Sequence, residues 1–170
     1  MKRLMLAAGL CMACSGGAGA QTAVYAGFSA SDFHLANVNW QYGPTFGLYY
    51  DHWGLGPLKA GVDVRASLLG MGTEKVTSVL AGPRVQLQPR VVPLMPYAEV
   101  LIGGGHADIG QGVAHVDKTE VEYQVLGGLD ATIFPHLDWR IVDYSWGDVT
   151  NLGEPLRPST LSTGLVLRLP

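Results

Sequence analysis

From Leu58 to Leu68 the side chains change character at every residue. Leu58, Ala60, Val62, Val64, Ala66 and Leu68 are apolar, while Lys59, Gly61, Asp63, Arg65 and Ser67 are small, polar or charged. Successive side chains of an extended strand point to opposite faces, so a period of two marks a strand whose two faces meet different surroundings. No stretch after residue 20 sustains a 3.6 period or a long apolar run, and the body of the chain reads as β throughout.

The alternation returns in eight segments: 22–30, 42–52, 57–69, 76–87, 95–105, 119–132, 137–146 and 159–169. Each is near the roughly nine to eleven residues that a tilted strand needs to cross a bilayer. In the sixth, Val121, Tyr123, Val125, Leu129 and Ala131 oppose Glu120, Glu122, Gln124, Gly128 and Asp130. In the eighth, Leu161, Leu165, Leu167 and Leu169 oppose Thr160, Ser162, Gly164 and Arg168, and in the second Phe46, Leu48 and Tyr50 oppose Thr45, Gly47, Tyr49 and Asp51. The first segment is ambiguous, since Val24, Ala26 and Phe28 fit either face. Eight segments with one apolar and one charged, Gly-rich face predict an all-β fold, an eight-stranded antiparallel up-and-down transmembrane β-barrel with its apolar face outward.

The seventh segment slips phase. Leu137, Trp139 and Ile141 continue as Tyr144 and Trp146, while Asp138 and Arg140 continue as Asp143 and Ser145. One extra residue near Val142 restores the register, which is what a β-bulge does. Without it Asp143 would face lipid at a cost.

Residues 1–20 fit an export signal: Lys2 and Arg3, an apolar run from Leu4 to Ala13, then small residues ending Ala18-Gly19-Ala20. The run is about half the roughly 20 residues a spanning helix needs. Cleavage after Ala20 leaves one domain, 21–170, without cysteine, because Cys11 and Cys14 both lie in the leader. Acceptance of a lipid by Cys14 is the alternative, with Cys11-Met12-Ala13 a poor lead-in. A cysteine-free exported domain has no disulfides and no thiol chemistry. Without Lys2 and Arg3, nine of the eleven basic residues remain against fourteen acidic ones, a balance that argues against a nucleic-acid partner.

The links after strands one, three, five and seven run to about 12, 6, 13 and 12 residues, and those after two, four and six to about 4, 7 and 4. Long loops at one end and short turns at the other, with both termini at the short-turn, periplasmic end, match an outer-membrane barrel. Trp40, Tyr42, Trp53, Phe134 and Trp146 lie near strand ends, where interfacial aromatic girdles form.

The inward positions collect Lys59, Arg65, Arg84, Arg140 and Arg168 against Asp63, Glu99, Glu120, Glu122, Asp130 and Asp143. An eight-stranded barrel is only wide enough for its own side chains. Unpaired charge there would be very costly, so a paired network that plugs the lumen is expected, with each of Arg65, Arg84 and Arg140 within ion-pair distance of Asp63, Glu99, Glu122 or Asp130. A proton or ion path and general acid–base chemistry are the functional alternatives. His106, Asp108, His115 and Asp117 share the third long link, but their spacing matches no established ligand pattern, and neither metal nor cofactor is expected. Gly103-Gly104-Gly105 lacks the fingerprint of a phosphate loop and reads as a strand end with close backbone approach or a bulge. No catalytic residues emerge.

Several segments carry a family likeness: GVDVRASLLG (61–70), LAGPRVQLQ (80–88), PYAEVLIGGG (96–105), YQVLGGLDATIFPHLDWRIVDYSW (123–146) and LSTGLVLRL (161–169). They resemble the outer membrane protein β-barrel domain family, akin to OmpA- and OmpX-type barrels, and most of all the small barrels of acidobacterial genomes. The GGLD…DWR..DY segment is the most specific of them. The resemblance implies an eight-stranded barrel in the cell outer membrane without assigned activity. The chain ends Leu169-Pro170, whereas many such proteins end in an aromatic residue read by the assembly machinery.

The expected function is therefore a non-catalytic outer-membrane barrel with a structural, adhesive or surface-display role. Its expected partners are outer-membrane lipids, the barrel assembly machinery during insertion, and any surface ligand of the long loops. Two alternatives stand beside it. A soluble lipocalin-like barrel would reverse the polarity of the faces, and a lipid-modifying barrel enzyme would need a Ser or His pair near a rim.

Overall fold

The period-two alternation becomes eight strands in the computed structural model, which describes residues 20–32, 40–71, 74–89, 91–109, 116–150 and 157–169. The strands are β1 (Gln21–Asp32), β2 (Gln41–Leu55), β3 (Leu58–Met71), β4 (Glu74–Leu87), β5 (Leu94–Ile109), β6 (Val116–Phe134), β7 (Leu137–Thr150) and β8 (Ser159–Leu169). Each pairs antiparallel with the next, and β8 closes on β1. Closure leaves no unpaired edge, which a wall surrounded by hydrocarbon requires. Of the expected export signal at residues 1–20, all but Ala20 lies outside the described residues.

Thr22 pairs with Leu169, so the first and last strands begin and end at one end of the barrel, here called lower. Gly56-Pro57, residues 88–93 and Pro135-His136 turn the chain at that end. The strict alternation of long and short links does not hold. Only residues 72 and 73 separate β3 from β4, fewer than the 88–93 connection below. The ladders run on past the segments marked by alternation, because backbone pairing continues where side-chain polarity no longer alternates. In particular His106 and Asp108 lie on β5 and Asp117 on β6, with Asp108 opposite Asp117, not in a loop. His115 lies outside the described residues.

Polarity follows the expected sense. Val62, Val64, Val79, Val100, Ile102, Val121, Val125, Leu161, Leu165 and Leu167 are exposed on the outer wall, while Asp63, Arg65, Arg84, Glu99, Asp130, Arg140 and Asp143 are buried inside. β1 settles its ambiguity in the same way, with Ala23, Tyr25, Ser29 and Ser31 inward and Val24 and Phe28 outward. The exposed aromatics gather toward the two ends: Trp53, Phe134 and Trp139 below, Trp40, Tyr42, Tyr144 and Trp146 above. Phe28 stacks on Tyr42 with ring centroids 6.4 Å apart. The Gly103 run lies within β5 and pairs with β6 without a bulge. A Cβ at Gly103 would collide with the Val79 carbonyl, so close backbone approach is the half of that expectation that holds.

The β7 bulge falls at Ile141-Val142. Leu129 pairs with Val142 and Asp130 with Arg140, and on the other side Arg140 pairs with Gly164 and Asp143 with Ser162. Arg140 and Asp143 thereby both point inward, 3% and 0% exposed. A bulge interrupts the ladder, and an orphaned carbonyl is expensive where no water can reach it. The outward Thr163 meets that need, donating its hydroxyl to the Arg140 carbonyl at 2.9 Å and lying 3.3 Å from the Trp139 indole nitrogen. Thr163→Val keeps the shape and removes the donor. It is expected to destabilise the folded barrel by about 1–3 kcal/mol, read from urea titration in lipid vesicles, whereas Thr163→Ser should retain most of the stability.

Candidate functional site

Three arginines, four carboxylates and three tyrosines meet in a layer across the middle of the lumen. Alternation turns each inward, and the register of seven strands brings them together: Tyr25 from β1, Tyr49 from β2, Asp63 and Arg65 from β3, Arg84 from β4, Tyr97 and Glu99 from β5, Asp130 from β6, with Arg140 and Asp143 from β7. Asp143 is the hub. Arg65 donates to it twice, Nη1 to Oδ1 at 3.0 Å and Nη2 to Oδ2 at 2.6 Å, the fork geometry that favours arginine over lysine. The Tyr97 hydroxyl donates to Asp143 Oδ2 at 2.6 Å, and Arg140 Nη1 lies 3.7 Å from the same oxygen.

Arg84 is paired with Glu99, its direct partner across the β4–β5 ladder, and reaches Asp130 Oδ2 at 3.5 Å. Arg140 Nε donates to Asp130 Oδ1 at 3.0 Å, and Arg65 Nη2 stands 3.6 Å from Glu99 Oε2. Asp63 accepts from the Tyr25 hydroxyl at 2.9 Å, and that oxygen in turn accepts from Arg65 Nε at 3.2 Å.

The tyrosine rings fill the space between the charges. The Arg84 guanidinium lies 4.0 Å from the Tyr49 ring centre and 4.1 Å from that of Tyr97, and Arg140 lies 4.1 Å from Tyr25 and 4.7 Å from Tyr97. Desolvated contacts of this kind can each contribute about 2 kcal/mol. Room for two of the rings comes from glycine. Tyr25 faces Gly47 across β1–β2 and Tyr97 faces Gly128 across β5–β6, and a Cβ at either glycine would run into the ring.

Above this layer the lumen is filled by hydroxyls and leucines. Ser29 bonds to Thr45 at 2.5 Å and to Ser162 at 2.8 Å, Ser31 to Thr160 at 2.8 Å, and Thr45 to Ser67 at 3.2 Å. Leu80, Leu101 and Leu126 cluster with Tyr97. A void of about 10 Å³ beside Arg65, Arg140 and Asp143 has room for one water at most. The described histidines, His52, His106 and His136, are all exposed, so the buried hydroxyls bond to one another rather than to an imidazole base.

Not every inward charge joins the layer. Glu122 lies higher and accepts from the Gln124 amide at 2.6 Å. Lys59 and Arg168 line the lower mouth, where Arg168 pairs with Asp138 at 2.9 Å. Asp51 and Asp138 must be added to the inward set, both 0% exposed. The side chain of Glu120 lies outside the described residues. The tyrosines were the larger omission. Their signal was their phase: Tyr49 alternates with Leu48 and Tyr50, and Tyr97 shares a face with Glu99.

A scan against protein-family models finds no match, and a search of curated proteins finds none either. Solved structures do match. Neisserial surface protein A superposes with a TM-score of 0.63 at 18% identity, covering 90% of this chain and 99% of that one. The fold is that of the small outer-membrane β-barrels. Ail, the attachment invasion locus protein of Yersinia pestis, gives 0.55 at 14% identity over 88% of this chain and 97% of its own. The N-terminal β-barrel domain of Pseudomonas aeruginosa OprF gives 0.56 at 11% identity over 87% and 97%. An outer-membrane-type barrel turns its apolar wall to lipid and its polar side chains to the lumen, the polarity seen in this chain.

Proposed function

We propose that the chain is an integral outer-membrane protein, exported on residues 1–20 and inserted by the barrel assembly machinery. It has a structural, adhesive or surface-display role and no catalytic activity, and its lumen is plugged. The observation that carries the reading is Arg84. This cation is 1% exposed at mid-lumen, held between the Tyr49 and Tyr97 rings and paired with Glu99 and Asp130. A conducting pore would keep such a charge in water. The bands of outward valine, leucine and aromatic side chains support contact with outer-membrane lipids, and a soluble lipocalin-like barrel would instead need an apolar lumen. Display belongs to the upper connections, whose residues 33–39, 110–115 and 151–156 lie outside the described set.

Planar-bilayer recording tests the plug. The refolded protein should give no steady conductance, and Glu99→Ala should not create an ion-selective one. A steady, ion-selective current that changes with Glu99→Ala would refute the plug. Fractionation tests the location: the mature chain should sediment with outer membranes and need detergent to stay in solution.

A further inference from the structure

The two ends of the outer wall differ in charge. Among the described residues, the charged side chains on the outward face of the strands are Asp32 on β1, Lys75 on β4 and Asp148 on β7, and all three lie at the upper end. The charged residues of the lower end, Asp51, Lys59, Asp138 and Arg168, stand on the inward face of their strands. Outward, the wall stays apolar down to the tips of its turns. Leu55, beside the Gly56-Pro57 turn, is 84% exposed, Val91 in the 88–93 connection is 93% exposed, and Phe134, before Pro135-His136, is 63% exposed. Arg90 lies outside the described residues.

Strand length fixes how far these turns lie from the polar upper rim. Lys75 and Leu87 are twelve residues apart on β4, and so are His106 and Leu94 on β5. A residue of a tilted strand advances about 2.5 Å along the barrel axis. Each span is therefore about 30 Å, the thickness of a bilayer's hydrocarbon core. With the polar upper ends at one boundary, Leu87 and Leu94 reach the other. The turn tips then fall in the headgroup layer, with no strand left to carry them clear of it. The aromatic side chains agree. Where β2 slips register between Asp51 and Trp53, the extra residue His52 is exposed, its ring centre 5.6 Å from that of Tyr50 and 5.3 Å from that of Trp53. Rings with one polar edge suit the headgroup layer.

We infer that the three lower turns form a membrane-embedding surface. Leu55, Val91, Val92 and Phe134 insert where headgroups meet acyl chains, and the barrel ends inside the bilayer interface instead of projecting into water. The occupant is lipid, because the turn surface is continuous with the apolar wall, whose Leu58, Leu87 and Leu94 are exposed directly above it. Contiguous apolar surface of this kind marks contact with a partner or a membrane rather than with solvent. The headgroup layer is hydrated, so Lys59 and Arg168 at the open mouth are accommodated at the same depth. Resting on the outer-membrane reading above, this placement adds the depth at which the barrel sits.

Single cysteines test the depth, because residues 21–170 contain none. Leu55→Cys, Val91→Cys, Val64→Cys and Lys75→Cys are each labelled with an environment-sensitive fluorophore and refolded into phosphatidylcholine vesicles, with folding checked by heat-modifiable migration. Quenching is then read with nitroxide-labelled lipid and, separately, with iodide on both sides of the membrane. The labels at residues 55 and 91 should show blue-shifted emission, lose fluorescence to a nitroxide near the glycerol backbone, and lose little to iodide. The label at residue 64 should respond to a nitroxide deep in the acyl chains, and the one at residue 75 to iodide. Iodide quenching at 55 and 91 as strong as at 75, with no loss to the shallow nitroxide, overturns the inference. If residue 64 still responds to the deep nitroxide in that case, the outer-membrane reading stands; if it too is open to iodide, both fall. Shielding of 55 and 91 from both quenchers, relieved when the protein is diluted in lipid, would assign the turns to a second copy of the chain and overturn lipid as the occupant.

Discussion

Asp143→Ala should lower the unfolding free energy of the barrel by about 3–5 kcal/mol, the cost of leaving buried charge without its partner. Asp143 takes both arms of the Arg65 fork and the Tyr97 hydroxyl, and it stands beside Arg140. Its removal takes both forked bonds from Arg65, leaving Glu99 at 3.6 Å as its nearest carboxylate, and takes one of two carboxylate neighbours from Arg140; each of these arginines is 3% exposed. The measurement is a reversible urea titration in lipid vesicles, with the folded fraction read from heat-modifiable migration. Replacing both partners is a different matter: Arg65→Met with Asp143→Leu should recover much of the loss, since an apolar pair of similar volume often stabilises as well as a buried ion pair. A loss below about 1 kcal/mol for Asp143→Ala would mean that water reaches the layer, and the plug would fail with it.

Val64→Arg should cost roughly 2–4 kcal/mol if the outer wall meets hydrocarbon at that height. Val64 lies mid-strand on β3, opposite Leu48 on β2 and Ala81 on β4, with no outward charge beside it. Val85→Arg, closer to the lower end of β4, should cost less, because the penalty falls toward the interface. The two variants separate membrane insertion from simple surface tolerance. Equal and negligible costs in vesicles would place this face in water and reverse the polarity argument.

Alternation by itself determined the number of strands, the face each side chain takes outside β1, and the bulge in β7. These are local properties. A strand's period of two is set by backbone geometry, and one inserted residue must be absorbed wherever Arg140 and Asp143 are both to face inward. Alternation could not fix the height at which each inward side chain sits, since height accumulates from the register of all eight ladders around the closed wall. That is why Lys59 and Arg168, chemically suited to the central network, end at the lower mouth, and why Glu122 pairs with Gln124 instead of an arginine. Arg65 and Asp143 are 78 residues apart in the chain and become a bidentate pair only when the barrel closes. The tyrosines follow the same logic. Phase placed Tyr49 and Tyr97 inside, while Tyr25 waited on the structure, and the room for Tyr25 and Tyr97 between the guanidinium groups depends on Gly47 and Gly128 standing opposite, a coincidence of two strands that no single segment carries. Link lengths misled for a related reason. Hydrogen bonding between backbones does not stop where the bilayer does, so β5 and β6 pair on past the alternating segments, and Asp108 meets Asp117 on a ladder rather than in a loop.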